Sequence, residues 1–180
     1  ETLNANCEKA LQDYMCYAKE VSDARRSAAD TLTEMITESL KDLNFQNVDF
    51  QMEFLPLEHP TRNGMEEGYF MISTNVGEPV KPLWEVASGG ELSRIMLAVK
   101  SCLAEEDDID TLIFDEIDVG ISGRTAQKVS EKLSAIAMRH QVICISHLPQ
   151  IAAMADAHFK IEKQVIGQKT ITGIERLQEE

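Results

Sequence analysis

The sequence predicts an α/β domain with parallel strands, led by one long helix. Two observations carry this. Residues 1 to about 44 contain neither Gly nor Pro and repeat small and apolar residues at helical spacing. From residue 87 onward, short apolar runs alternate with amphipathic segments of helix length, the order that builds a sheet with parallel members.

In the leading segment, Cys7, Ala10, Tyr14, Tyr17, Val21, Ala24, Ala28, Thr31 and Met35 recur at alternating steps of three and four. That 3.5-residue period argues for a coiled-coil seam. Many of these residues are small or polar, so a single amphipathic helix packed on the domain stands as the alternative. A helix of this length reaches about 60 Å. A small lobe cannot cover that much, so the helix is expected to project.

Residues 45–86 read as a strand-rich entry. Val48, Phe50, Met52 and Phe54 alternate with polar residues, the pattern of a half-buried strand. Pro56 to Gly68 reads as a polar loop and Tyr69–Ser73 as a second strand. A connection with Gly77, Pro79 and Pro82 leads to Trp84, the only tryptophan. It is expected to anchor packing beneath the loop that follows, with base stacking as the other reading.

Residues 86–94, VASGGELSR, hold the strongest local signal. Ser88 can cap a helix over about 90–104, and Glu91 three residues on completes a capping box. Gly89 and Gly90 leave the first backbone N–H groups open, and a helix start favours negative charge. An ordinary capped helix after a Gly-rich turn accounts for the same residues.

A strand is expected at 111–115, and the acidic stretch Glu105–Asp108 before it is expected to be solvated. The strand ends in Asp115-Glu116-Ile117-Asp118. Open α/β sheets bind ligands at the carboxyl ends of strands. Adjacent carboxylates there suit a metal and a general base: Asp115 toward Mg²⁺, Glu116 toward the water that attacks a γ-phosphate. A solvated acidic turn is the plain alternative. A helix follows at about 124–138, with Ala126, Val129, Leu133 and Ile136 inward. Strand 141–145 then ends in Ser146-His147, where a histidine can reach a phosphate oxygen at the same sheet edge. A short helix at 149–155 and strands at 158–164 and 169–175, around a turn at Gly167, complete the chain.

Composition narrows the classes. The chain has 180 residues, 43% hydrophobic, enough for one core. Cys7, Cys16, Cys102 and Cys144 show no CxxC spacing and read as reduced, small apolar residues rather than a zinc site or disulfide frame. No run of eighteen apolar residues or signal peptide appears, which argues against a membrane. The net charge of −14 makes this chain a poor DNA-contacting surface. Arg25-Arg26 is the only adjacent basic pair and is expected on a solvated helix face.

SGGELSR resembles the signature motif of ABC-type ATPases, LIFDEID their Walker B strand, and ISH their switch segment. VASGGELSRIMLAVK, LIFDEIDVGISGRTAQKVSEKL and ICISHLPQIAAMAD are most similar to the bacterial RecN family, relatives of the structural-maintenance-of-chromosomes (SMC) proteins. The resemblance implies an α/β C-terminal lobe of an ABC-type (P-loop NTPase-like) head over residues 45–180, with residues 1–44 the stub of a coiled-coil arm. It implies ATP and Mg²⁺ as ligands, and a second head protomer as partner in a homodimer that sandwiches two ATP molecules. Ser88, Gly89, Gly90 and Glu91 fall in the signature that meets the γ-phosphate held by the opposite protomer. Asp115 falls at the Mg²⁺-associated aspartate, Glu116 at the general base and His147 at the switch histidine. Asp118 to Ser122 fall in the D-loop, although many ABC ATPases carry aspartate where this chain has Ser122. Arg94, after the signature, supports the phosphate site or faces solvent.

The resemblance further implies recombinational repair of DNA double-strand breaks in the bacterial cytoplasm, at the nucleoid, with DNA bound through the full-length protein. An SMC-like tethering module that uses ATP only for assembly is the alternative. No GxxxxGK[ST] loop occurs in the chain. This is read as the C-terminal part of a longer protein, with a last helical segment trimmed. The 180-residue chain alone is therefore expected to bind ATP weakly and to show no meaningful turnover in a phosphate-release assay. Robust hydrolysis by it would overturn the missing-loop argument.

Overall fold

The computed structural model describes residues 2–86, 88–166 and 169–177. The expected turn at Gly167 lies outside them. Helix α1 (Thr2–Asp42) is continuous over 41 residues, about 60 Å. Residues 2–13 are all exposed. Further along, the face formed by Tyr14, Ala18, Arg25, Ala29, Leu32, Ile36 and Leu40 turns inward. Apart from Tyr14, the residues of the expected seam lie on the open side. The 3.5-residue pattern therefore marks a stripe that this lobe does not cover, and a second stripe does the packing.

β1 (Asp49–Thr61) and β2 (Gly64–Ser73) form a long antiparallel hairpin, extended by β3 (Lys81–Pro82) in the order β1-β2-β3. The expected loop from Pro56 to Gly68 is instead mostly strand, turning tightly at Arg62 and Asn63. Two prolines are tolerated because β1 is an edge strand and its register breaks between Pro56 and Thr61. Gly64 takes φ +107, which favours glycine at this turn. Helix α1 braces the hairpin: the Tyr14 hydroxyl donates to Thr61 O at 3.0 Å, and Arg26 pairs with Glu66 at 2.5 Å over the face of Phe54. Arg26 is exposed, as expected of a solvated helix face, and also engages the hairpin. Trp84 sits in a short 3₁₀ turn, is 63% exposed, and packs edge-on against Tyr69. With this much of its surface open to solvent, it does not anchor the loop from beneath.

Helix α2 (Gly89–Leu103), strand β4 (Thr111–Phe114), helix α3 (Gly123–Ala137), strand β5 (Gln141–Cys144) and the single turn α4 (Pro149–Ala152) form the α/β unit. β4 and β5 pair in parallel, Leu112 opposite Val142 and Phe114 opposite Cys144. Ala126, Val129, Leu133 and Ile136 of α3 are buried, as their spacing predicts. The acidic linker is only partly solvated. Asp107 pairs with Lys100, and the His140 ring meets the carbonyls of Ile109 at 2.7 Å and Ala104 at 3.3 Å. β6 (Phe159–Ile166) and β7 (Lys169–Arg176) close the chain as an antiparallel pair.

The core joins the end of α1 to both units: Ile36, Leu40 and Leu43 pack with Phe50, Ile72, Ile95, Leu97, Phe114 and Ile136. One side of the parallel pair is apolar yet open, with Ile113, Ile143 and Ile145 exposed.

The two stripes of α1 should separate under mutation. Ile36→Ala is expected to cost about 2–5 kcal/mol in urea unfolding, the usual penalty for emptying a core site. Its neighbour Met35→Ala is expected to stay within about 0.5 kcal/mol. Equal costs would contradict the assignment of faces.

Candidate functional site

The start of α2 and the end of β4 meet because the chain runs out along the helix and returns along the strand. Ser88 caps α2 from an extended conformation, its hydroxyl accepting from Glu91 N at 3.3 Å. Gly89 is exposed. A Cβ at Gly89 would lie 2.1 Å from Glu116 Oε2; one at Gly90 would lie 2.9 Å from Glu116 O and 3.0 Å from Val119 Cβ. At Gly90 the contact is with backbone and only glycine permits it; at Gly89 the exposed Glu116 side chain could swing aside. Glu116 itself takes φ +57, a region rarely adopted by residues with a Cβ. The Ser93 hydroxyl donates to Asp115 O at 2.5 Å, and the Asp115 carboxylate accepts from Glu116 N at 2.8 Å. Both carboxylates are exposed just beyond the strand end.

β5 ends at the same edge because it lies parallel to β4. The link across the edge is Asp118, 4% exposed. Its Oδ2 accepts from the Ser146 hydroxyl at 2.6 Å and from His147 N at 2.8 Å, and His147 Nδ1 lies 3.0 Å away. Burial pushes the Asp118 carboxyl upward, but the bonds from Ser146 and His147 and the nearby imidazole outweigh it and hold the group below the ordinary aspartate range. The rest of the His147 side chain is open, 76% exposed. Beneath this edge, burial, with the Asp118 and Asp115 charges adding to it, pushes the Cys144 thiol up to about 11.

The structure thus gathers Ser88, Gly89, Gly90, Glu91, Asp115, Glu116, Asp118 and His147 at one sheet edge. Asp118 turns inward as a tie between the two strand ends, so its carboxylate is engaged within the chain. Ser122 is exposed at the start of α3 and makes no side-chain cap bond.

Arg94 does not face solvent. It is 7% exposed; Nη1 donates to Val119 O at 2.8 Å and Ile117 O at 3.4 Å. The signal was present in the spacing: Arg94 stands on the buried face with Gly90, Leu97 and Ala98. Among the described residues no group of three or more His, Cys, Asp or Glu could hold a metal. The open Asp115 carboxylate suits an ion that takes one or two protein carboxylates and completes its shell with phosphate oxygens and water.

The chain is 42% identical over 182 residues to the DNA repair protein RecN of Halalkalibacterium halodurans, covering 99% of this chain and 32% of that protein. It is 41% identical over 192 residues to that of Bacillus subtilis, covering 98% and 33%. The chain is a RecN-family homologue. It spans about a third of the length of these curated RecN relatives. No family model matches it. Its fold resembles part of an SMC head. A crystal structure of the Smc head domain with a coiled coil and joint, derived from Pyrococcus yayanosii, superposes with TM-score 0.64 at 19% identity, covering 98% of this chain and 32% of that one. The Smc head with an extended coiled coil from Pyrococcus furiosus, bound to the C-terminal domain of ScpA, gives 0.60 at 19%, covering 97% and 42%. Among the described residues of this RecN homologue, no helix is long and apolar enough to cross a membrane.

The depressed Asp118 carboxyl sets a pH dependence. An unfolded aspartate titrates near pH 3.9. With the folded value lower, the ionised form stabilises the fold above about pH 4, and that contribution is lost as pH falls through the folded value. Asp118→Asn is expected to lose about 1–3 kcal/mol at pH 7 in urea unfolding, and the gap should narrow as pH falls below about 4. A gap that does not change with pH would remove the ionised tie.

Proposed function

We propose that this chain forms the signature-bearing part of an SMC-like ABC ATPase head, acting in repair of DNA double-strand breaks. The observation that carries the reading is the exposed, glycine-opened start of α2, set against two carboxylates beyond a parallel strand. The N–H group of Gly89, with the Ser88 hydroxyl, offers donors to phosphate oxygens at a helix start, and the buried Gly90 lets the helix start approach the turn after β4. Asp115 would hold Mg²⁺, which supplies charge neutralisation on the phosphates when bound. Glu116 Oε2 would take the proton of the attacking water, and His147, oriented by Asp118, would steady the developing charge.

The sequence holds no phosphate-cradling lysine loop, so in this reading the remainder of each site comes from elsewhere in a full-length protein. Two heads would form a homodimer around two ATP molecules, each site taking its signature from the opposite protomer. The open apolar side of β4 and β5 suits burial by further chain of such a head. The exposed seam of α1 supports residues 1–44 as part of a coiled-coil arm. With a net charge of −14, DNA would be met elsewhere in the protein. Identity of 42% to RecN against 19% to Smc heads supports repair over a purely structural tether. Cytoplasmic placement follows from the same reading.

Glu116→Gln in the full-length protein tests it. Turnover is expected to fall by at least about a hundredfold, the scale of a lost general base, while ATP-dependent dimers persist in size-exclusion light scattering. Unchanged hydrolysis would remove Glu116 from the role of base.

A further inference from the structure

We infer that Arg94 is a positioning residue: it ties α2 to the turn after Glu116, so that the helix start and the catalytic carboxylate shift as one unit. The inference rests on the proposed role of Glu116 and adds a residue that acts through it.

The guanidinium sits in an unusual place. It is buried, and its carbon lies 5.6 Å over the centroid of the Phe45 ring. No carboxylate of the described residues lies within ion-pair distance, and Arg94 Nε is buried with no hydrogen-bond partner among them. An unpaired buried cation is costly, and a leucine or methionine could fill the same helical position without that cost. What an apolar side chain could not do is hold the carbonyls of Ile117 and Val119.

Those carbonyls belong to the turn that carries Glu116. Its left-handed backbone persists only where the surroundings fix it from several sides. Gly90 presses on it at Glu116 O and Val119. Asp118, inside the turn, is anchored to Ser146 and His147. Arg94 grips the turn on both sides of Asp118, from a position one helical turn beyond Gly90. Any slide or rotation of α2 therefore carries the turn with it. In the proposed sandwich, the α2 start faces one nucleotide and Glu116 the other. Arg94 would then link the two sites through a single protomer.

The test uses the full-length protein, with Arg94→Met, Arg94→Lys and Phe45→Leu assayed beside Glu116→Gln. Each is first checked for folding by urea unfolding, and rates are expressed per folded molecule. Arg94→Met is expected to lower kcat about 10- to 100-fold, the scale of a misplaced catalytic group, with KM for ATP within about twofold because Arg94 does not touch nucleotide. Arg94→Lys, with one charged donor centre in place of the fork, is expected to recover part of kcat. Phe45→Leu should give a smaller loss in the same direction. If Arg94→Met does not fold, the other two decide. Folded variants with wild-type kcat, or a loss confined to KM, would overturn the inference. If Glu116→Gln abolishes turnover while the Arg94 and Phe45 variants work normally, only the positioning role fails. If Glu116→Gln turns over normally, the functional reading fails with it.

Discussion

The closest constraint in this molecule is steric. The first turn of α2 presses on the turn after β4 so tightly that a single added methyl at Gly90 would lie 2.9 Å from the Glu116 carbonyl oxygen. Everything at the sheet edge depends on that approach. It sets the carboxylate beside the open helix start, and it holds Glu116 in a backbone region that residues with a Cβ avoid. Glycine contributes here by absence: no side chain separates two backbones that must nearly touch.

Asp118 does for the two strands what the glycines do for helix and strand. β4 and β5 are only four residues each, and their ladder alone is a weak fixture. A buried carboxylate accepting from a hydroxyl and a backbone N–H makes the loop after β5 answer to the loop after β4. Charge-assisted bonds of this kind are shorter and stronger than neutral ones. The His147 ring is held at one nitrogen and open elsewhere, an arrangement suited to a group that must meet a ligand without wandering.

Helix α1 shows how one element can satisfy two demands. Its inward stripe ends in Ile36 and Leu40, fully buried and continuous with the core of the head. Its outward stripe carries Tyr17, Val21 and Met35 in the open. The outward stripe is legible in the sequence, because regular three-and-four spacing is visible in any helix. The packed stripe is not, because Ala18, Arg25 and Ala29 become a contact face only where the β1–β2 hairpin folds across them. The hairpin was half legible for a similar reason. Alternation gave its apolar strand segments, while Pro56 and Pro60 read as breakers and not as residues of an edge strand.

The sequence by itself determined the α/β class, the helix start at Ser88, the two strands ending in Asp115-Glu116 and Ser146-His147, and the likeness to an ABC-type head. These are local patterns, fixed by periodicity, capping chemistry and short motifs. Only the tertiary structure decided that Asp118 faces inward, that Arg94 is buried against backbone carbonyls, and that Trp84 is exposed. Each of those outcomes depends on which distant segment arrives beside the residue. The same arginine on the same helix would be a solvent-facing charge if Phe45 and the turn from Ile117 to Val119 packed elsewhere.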